Sequence, residues 1–152
     1  MSDVEVQQHV AADPKVVYDH VSDLSRMGEW SPENTGGKWI DGATGPAVGA
    51  RFRGTNEHRW LRWHTYCTVT AADPGRRFEF NVDYGPVPVS TWCYEITPAD
   101  SGCIVIESWA DRRPAWLKVG GAIAMAVPDR ADHNRRNMVA TLAALKAACE
   151  RA

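Results

Sequence analysis

Apolar and polar residues alternate through most of the middle of the chain. The clearest case is the segment RFEFNVDY (77–84), in which every second residue from Phe78 to Tyr84 is apolar or aromatic. A period of two is typical of a β-strand with one buried face. The same pattern predicts strands over residues 4–10, 38–41, 50–58, 60–72, 77–84, 89–97 and 103–110. Short turn sequences such as DPG, GPVP and PADSG join several of them, which predicts an antiparallel meander.

The segment DRADHNRRNMVATLAALKAACER (129–151) changes to a helical period. One face of its helical wheel collects Ala131, Asn134, Met138, Thr141, Leu142, Leu145 and Cys149. No glycine interrupts it and Ala and Leu dominate, so intrinsic propensity agrees with the pattern. At about 1.5 Å per residue, the helix would be roughly 34 Å long. An apolar stripe of this length needs a large surface to cover it, and the predicted sheet is the surface available.

Two short helices are predicted between the first two strands. Asp13 and Pro14 are typical of an N-cap and a first helical position, and apolar residues then recur at helical spacing as far as Leu24. A second short helix is predicted over residues 25–30. The whole chain, 1–152, is therefore predicted to be a single α+β domain. In it a curved antiparallel sheet of six to seven strands wraps around a long C-terminal helix.

Composition and charge exclude several classes of function. The chain has 152 residues and a formal net charge of −2, with acidic and basic residues interspersed. Nucleic acid is therefore not an expected partner, because phosphate binding needs a clustered basic surface. No apolar run reaches the ~18 residues of a membrane span, and the charged N-terminus does not resemble a signal peptide. We expect a cytoplasmic protein, either a monomer or a homodimer.

Motifs for metal or cofactor chemistry are absent from the sequence. No phosphate-binding, dinucleotide-binding, zinc-protease or serine-hydrolase motif occurs. The histidines are isolated, and no three or four convergent zinc ligands can be named. We therefore predict no metal and no cofactor. The four cysteines, which form no CxxC pair, are predicted to be buried and reduced: Cys67, Cys93, Cys103 and Cys149.

Glu107 is a candidate acid or base. It alternates with Val105 and Trp109, whereas Ile104 and Ile106 occupy the other face, so the apolar count alone turns Glu107 outward. If Glu107 points inward, burial raises its pKa into a range useful for proton transfer.

Two polar residues lie near the N-terminal end of the inner stripe of the last helix. Asn134 and Arg135 can each contact a carbonyl or carboxylate of a ligand there, or cap neighbouring backbone groups. The sequence leaves both interpretations open.

The predicted inner face of the sheet is unusually aromatic. Its members are Phe52, Trp63, Phe78, Phe80, Val82, Tyr84, Trp92 and Tyr94. Such rings can be packed core, or they can be the walls of a cavity, since ligand cavities are mostly apolar with a few placed polar groups.

Several segments together resemble the START-like (SRPBCC) superfamily, and in it the small polyketide cyclase/dehydrase-like proteins of actinobacterial type. The segments that carry the resemblance are Asp13-Pro14, MGEWSPE (27–33), GATGPAVGARFRG (42–54), TVTAADPG (68–75), ESW (107–109), DR (129–130), Asn134, Thr141-Leu142 and Leu145-Lys146. They cover essentially the whole chain. The resemblance implies a helix-grip fold with a deep apolar cavity between the sheet and the C-terminal helix.

The resemblance also bears on the site. It implies that Ile104 and Ile106 face outward and Glu107 inward. It favours a cavity over a solid core. The apolar segment 114–127 is then a candidate lid, hinged at Pro128, which would kink or break a continuous helix. The residues predicted to line the ligand are Trp30, Phe52, Trp63, Thr65, Phe80, Val82, Tyr84, Trp92, Tyr94, Trp109, Asn134 and Met138.

Three functions follow as hypotheses. The first is binding of a hydrophobic small molecule such as a lipid, an isoprenoid or an aromatic polyketide. The second is a polyketide cyclase/dehydratase in which Glu107, with His64 or Tyr94, moves protons during aldol closure and loss of water. The third is a protein-interaction module that uses a sheet edge or the segment around Trp116.

Overall fold

The computed structural model describes residues 2–29, 34–114 and 130–151. Seven strands and two α-helices make up most of these residues. In chain order they are β1 (Val4–Val10), α1 (Pro14–Val21), a 3₁₀ helix (Leu24–Glu29), β2 (Asn34–Ile40), β3 (Arg51–His58), β4 (Leu61–Asp73), β5 (Arg77–Tyr84), β6 (Val87–Ala99), β7 (Gly102–Asp111) and α2 (Arg130–Arg151). The predicted α+β layout is confirmed.

All seven strands form one antiparallel sheet in the order β1-β7-β6-β5-β4-β3-β2. Strands β2 to β7 pair with their neighbours in the chain, as the short turns predict, and β1 pairs with β7. The turn between β6 and β7 is tight, because Ala99 pairs with Gly102 across Asp100 and Ser101. This hairpin register places Tyr94 directly opposite Glu107.

Helix α2 packs against β1 and, less extensively, against β7. Its buried residues repeat at helical spacing and are Asn134, Met138, Thr141, Leu142, Leu145 and Cys149. Two residues predicted on this stripe are exposed, Ala131 and Arg135. Arg135 is rotated by about 100° from Asn134 around the helix, which turns it to solvent. Ala131 lies one turn before the first buried position.

Helix α1 closes the other part of the core. Asp13 caps it, with Oδ1 accepting a hydrogen bond from the backbone N–H of Lys15 at 2.9 Å. The helix buries Val17, Tyr18 and Val21 against the sheet. Tyr18 meets Phe78 of β5 edge to face, with ring centroids 6.2 Å apart.

Some predicted boundaries were wrong in informative ways. Strand β2 begins at Asn34 rather than at residue 38, because Gly36 and Gly37 still pair with β3 although they supply no apolar alternation. Gly37 is required there, since a Cβ atom would lie 2.1 Å from the carbonyl oxygen of Arg53. Strand β6 also extends beyond its apolar centre at both ends. The second short helix is a 3₁₀ helix.

Some of the remaining predictions concern residues that the structure describes, and others concern residues that it does not. All four cysteines are free and buried, as predicted. Trp30, Trp116, Pro128 and nearly all of the predicted lid lie outside the described residues. Within the described part of the chain, no helix combines the length and the apolar character needed to cross a membrane.

Candidate functional site

Glu107 points to the inner face of the sheet. In β7 the buried residues alternate from Cys103 through Val105 and Glu107 to Trp109, so the inward orientation implied by the resemblance is confirmed. The Glu107 side chain is only 2% exposed. Its Oε2 accepts a hydrogen bond from the Tyr94 hydroxyl at 2.8 Å, across the β6–β7 ladder.

The other carboxyl oxygen of Glu107 has no hydrogen-bond partner in the part of the chain that the structure describes. Among the described residues, Oε1 is the one buried side-chain oxygen or nitrogen in this condition. Leaving a buried polar atom unpaired costs on the order of 1–3 kcal/mol, so native structures rarely do it without cause. This atom is the strongest single indication of a site on the inner face.

Burial controls the protonation of this pair. Loss of hydration raises the pKa of Glu107 from 4.5 to about 8, although the hydrogen bond from Tyr94 opposes the rise. Burial and the adjacent carboxyl also raise the pKa of the Tyr94 hydroxyl well above its usual value. Both groups are therefore mainly protonated at neutral pH, and Glu107 is close enough to its pKa to give up or take up a proton.

Tryptophans lie beside the pair on the same face. Trp109 lies two residues after Glu107 on the same face of β7 and is buried. Trp92 of β6 pairs with Trp109 across the ladder. Their ring centroids are 6.5 Å apart and the rings are tilted by 49°. Val4 of β1 and Met138 of α2 complete this small apolar cluster. Trp92 is only partly buried, so it lies at the accessible side of the cluster.

The α2 residues predicted to face a ligand lie at the buried N-terminal end of the helix. Met138 packs against Trp109 and Val4, and Asn134 precedes it by about one turn and is also buried. The structure therefore brings Asn134 and Met138 to the side of the sheet that carries Trp109.

Further predicted site residues continue across the sheet away from α2. Phe52, Phe80 and Val82 are buried in the main core cluster. Thr65 is buried in β4, and its Oγ1 accepts a hydrogen bond from Nδ2 of Asn56 at 2.9 Å. Asn56 was not predicted from the sequence, although it stands two residues beyond Gly54 on the inner parity of β3.

Trp63 and Tyr84 lie toward the end of the sheet. Trp63 has the strand parity of Thr65 and is partly buried. Tyr84 is 56% exposed, which does not support its predicted role in lining an interior site. The β5–β6 register shifts just before Tyr84, since Val82 pairs with Ser90 and Asp83 with Pro88, and the extra residue, Val89, lies on β6.

An ion pair at the end of β7 was missed by the sequence analysis. Both oxygens of Asp111 contact the Arg113 guanidinium, at 3.0 and 2.7 Å, and the two side chains are 12% and 11% exposed. Asp111 has the inner parity of Glu107 and pairs across the ladder with the buried Ser90. The pair lies in the segment DRRP (111–114), whose sequence is typical of a turn. It can be recognised as part of the inner face only if the predicted strand is extended to Asp111.

The suggested pairing of Glu107 with His64 is wrong. His64 is exposed on β4, on the parity opposite Thr65, and its Nδ1 lies 3.3 Å from the Thr55 hydroxyl of β3. Side chains alternate strictly across a strand, so His64 lies on the outer face of the sheet. Tyr94 is therefore the one predicted partner that the structure places on Glu107.

The geometry of the described residues does not indicate a metal site. Within residues 2–29, 34–114 and 130–151, no group of three or more His, Cys, Asp or Glu side chains is arranged to hold an ion. The absence of a metal or cofactor stays a prediction.

Comparison with solved structures shows the fold. The chain is 30% identical to a Polyketide_cyc-like protein from Corynebacterium glutamicum, covering 94% of this chain and 88% of that one, with a TM-score of 0.57. It superposes on the di-domain ARO/CYC StfQ from the steffimycin biosynthetic pathway with a TM-score of 0.74 at 15% identity, over 97% of this chain and 50% of that one. Ara h 8.0201 gives a TM-score of 0.68 at 11% identity, over 98% and 97%. These likenesses show the helix-grip fold.

Comparison by sequence shows the family. A search among curated proteins finds no match. The family described as "Polyketide cyclase / dehydrase and lipid transport" matches residues 1–150, which confirms the resemblance to the START-like superfamily. The chain belongs to this polyketide cyclase/dehydrase and lipid transport family.

Proposed function

We propose that this protein binds a hydrophobic small molecule between the inner face of its sheet and helix α2. Family membership supports a role in hydrophobic-ligand binding or in cyclisation. The observation that carries the proposal is the unpartnered Oε1 of Glu107. In a packed core, leaving this atom without a hydrogen bond would only destabilise the folded state. In a ligand site it is one of the few polar groups that orient an apolar molecule.

The neighbours of Glu107 fit an apolar ligand. Trp92 and Trp109 offer large ring surfaces beside the carboxyl group, and Met138 of α2 adds a flexible thioether. Methionine adapts its shape to a ligand at low cost, and tryptophan buries much area while keeping an N–H available. Trp92 keeps part of its surface accessible and is therefore the best reporter of ligand entry.

Binding should be visible in tryptophan fluorescence and native mass spectrometry. We expect at least one of farnesol, 1-naphthol, dodecanoic acid and 2-tridecanone to form a one-to-one complex and to change the fluorescence. In Trp92→Phe most of the fluorescence change should disappear, because Trp92 is the partly accessible ring of the Trp92–Trp109 pair. Trp60→Phe is the matched control, since Trp60 is 81% exposed at the β3–β4 turn and should not respond. Failure of every probe in the panel to bind would refute the proposed function.

A cyclase/dehydratase activity at the same pair is the second candidate. The specific observation in its favour is the hydrogen-bonded Glu107–Tyr94 pair, in which burial raises the pKa of Glu107 to about 8. In aldol closure a carbon next to one carbonyl loses a proton, and the oxygen of the attacked carbonyl gains one. The carboxylate form of Glu107 can accept the proton from the carbon, and the resulting acid can donate it to the oxygen of the attacked carbonyl. When water is lost, the carboxylate accepts the second proton from the same carbon and gives it to the departing hydroxyl group, which leaves as water.

The activity can be tested with a simple diketone. The probe is 2,6-heptanedione, which closes to 3-methylcyclohex-2-enone with release of one water. If the pair is catalytic, the chain should accelerate formation of the conjugated enone, and Glu107→Gln should lower the rate about 100-fold, as expected for loss of a general acid. Tyr94→Phe should slow it less, because Glu107 remains. An unchanged rate in Glu107→Gln would remove the catalytic assignment and leave the binding proposal intact.

A further inference from the structure

The hydrogen bond between Tyr94 and Glu107 determines which atom is left for a ligand. Tyr94 has one hydroxyl hydrogen, and it is directed at Oε2 of Glu107 at 2.8 Å. Oε1 is enclosed and has no partner among the described residues. A ligand that reaches this point on the inner face therefore meets Oε1.

The state of the carboxyl group determines what Oε1 offers. Because burial raises the pKa of Glu107 to about 8, the group is mainly neutral at pH 7. Oε2 already accepts the hydrogen bond from Tyr94, so the acidic proton is best placed on Oε1. Oε1 then acts as a hydrogen-bond donor.

The charged groups around the Glu107–Tyr94 pair determine whether an anionic ligand could bind beside it. The neighbouring strand β1 presents Val6 opposite Glu107, and the adjoining cluster contains Val4, Trp109 and Met138. Arg113 is the cation nearest to this face along β7, and both its bonds to Asp111 are made. A buried anion therefore finds no unpaired cation among the described residues of this face, and burying an unpaired charge is strongly unfavourable.

We propose that the site selects apolar ligands whose buried polar end is an uncharged oxygen acceptor, such as a ketone or an ester, with Glu107 as the donor. The same arrangement discriminates against carboxylates, including free fatty acids. This inference rests on the proposed binding function and narrows it to one chemical class.

Among the described residues, few titratable groups face Glu107, so a pH response of the site can be assigned to Glu107. Strand β6 contributes Tyr94, and the inner positions of β1 contribute none. On the buried face of α2 the titratable group is Cys149, which lies near Cys103 at the far end of the core. Asp111, further along β7, is bound to Arg113.

A matched pair of probes tests the selection. Dodecanoic acid and 2-tridecanone share the same undecyl chain and differ by a hydroxyl in place of a methyl group on the carbonyl carbon. By isothermal titration of the full chain at pH 7, the ketone should bind at least about tenfold more tightly than the carboxylate. Its affinity should fall about tenfold or more between pH 7 and pH 9.5, as Glu107 loses its proton.

The variant Glu107→Gln separates the ability of residue 107 to donate a hydrogen bond from its ability to become charged. The glutamine amide is a neutral donor at every pH, so the variant should still prefer the ketone but should lose the pH dependence. Equal affinities for the two probes, or tighter binding of the carboxylate, would overturn this inference and leave the binding function standing. Binding of the farnesol and naphthol panel without binding of the ketone would overturn it as well. If none of these probes binds, both the inference and the proposed function fail.

Discussion

Replacing Gly102 with alanine should lower the free energy of unfolding by roughly 4 kcal/mol, the sum of backbone strain and steric overlap. Gly102 begins β7 and has a φ angle of +139°, a conformation that favours glycine. A Cβ atom there would lie 2.1 Å from the Val10 carbonyl oxygen, 2.9 Å from Cα of Ala11 and 3.0 Å from the nitrogen of Ala12. All three are backbone atoms, so no side chain can rotate away.

The clash at Gly102 arises where the chain passes from β1 toward α1. Urea denaturation followed by circular dichroism would measure the loss of stability. Gly42→Ala is the matched control, because Gly42 also has a positive φ, +82°, but nothing lies within 4 Å of the added Cβ. It should cost only about 1–2 kcal/mol, the strain of the backbone conformation alone. Equal losses of stability in the two variants would show that the backbone at residues 10–12 can move away from residue 102 and that steric overlap contributes little.

Gly102 also illustrates how the sheet positions the site. The tight β6–β7 turn sets the register of the ladder, and that register carries Glu107 to its place opposite Tyr94. A shift of one residue would turn Glu107 to the outer face and replace it with Ile106 or Ser108. The carboxyl group is therefore held inside by the turn and by its strand neighbours.

Alternation along the chain was sufficient to predict the strands and the helix. Most strands of the meander have one clearly buried parity, as in β5, where Phe78, Phe80 and Val82 are buried. Apolar spacing likewise predicted α2, because Met138, Leu142 and Leu145 recur at helical intervals. These patterns are local, and a short window of sequence contains them completely.

Strand β7 shows where a local pattern fails. Both of its parities are apolar, so counting favoured the side of Ile104 and Ile106, which are in fact only partly buried. The orientation depends on the neighbouring strands. The short turn after Ala99 was visible in the sequence and would have placed Glu107 opposite Tyr94, whose inward orientation was already predicted.

Polar side-chain pairs were predicted least well. The Asn56–Thr65 and Asp111–Arg113 contacts depend on register and on the exact end of a strand, neither of which alternation determines. His64 failed for the opposite reason. It was chosen for its chemistry, although the parity of Thr65 and Cys67 already assigned it to the outer face.

The stability of the protein should fall steeply as pH rises from about 5 to 8, and Glu107→Gln should remove this part of the pH dependence. In the unfolded chain Glu107 releases its proton near pH 4.5, whereas burial raises its pKa to about 8 in the folded protein. The folded state thus holds one more proton than the unfolded state between these values. The contribution of Glu107 to stability is fully present below pH 4.5. Above that pH it falls by about 1.4 kcal/mol per pH unit as far as pH 8, on the order of 5 kcal/mol in all.

Denaturation of wild type and variants at pH 5, 6, 7 and 8 measures this difference directly. Glu107→Gln should be less stable than wild type at pH 5, because the amide leaves hydrogens unpaired, and more stable at pH 8, where wild type must hold a buried charge. Tyr94→Phe should extend the loss to higher pH, since the hydrogen bond from Tyr94 lowers the pKa of Glu107. Gln7→Ala, at an exposed position on β1 that has no titratable group, should differ from wild type by a constant amount. Parallel curves for wild type and Glu107→Gln would mean that Glu107 ionises inside the folded protein as readily as in water. The carboxyl group would then be an anion at neutral pH, and its proposed role as a hydrogen-bond donor to a ligand would fail with it.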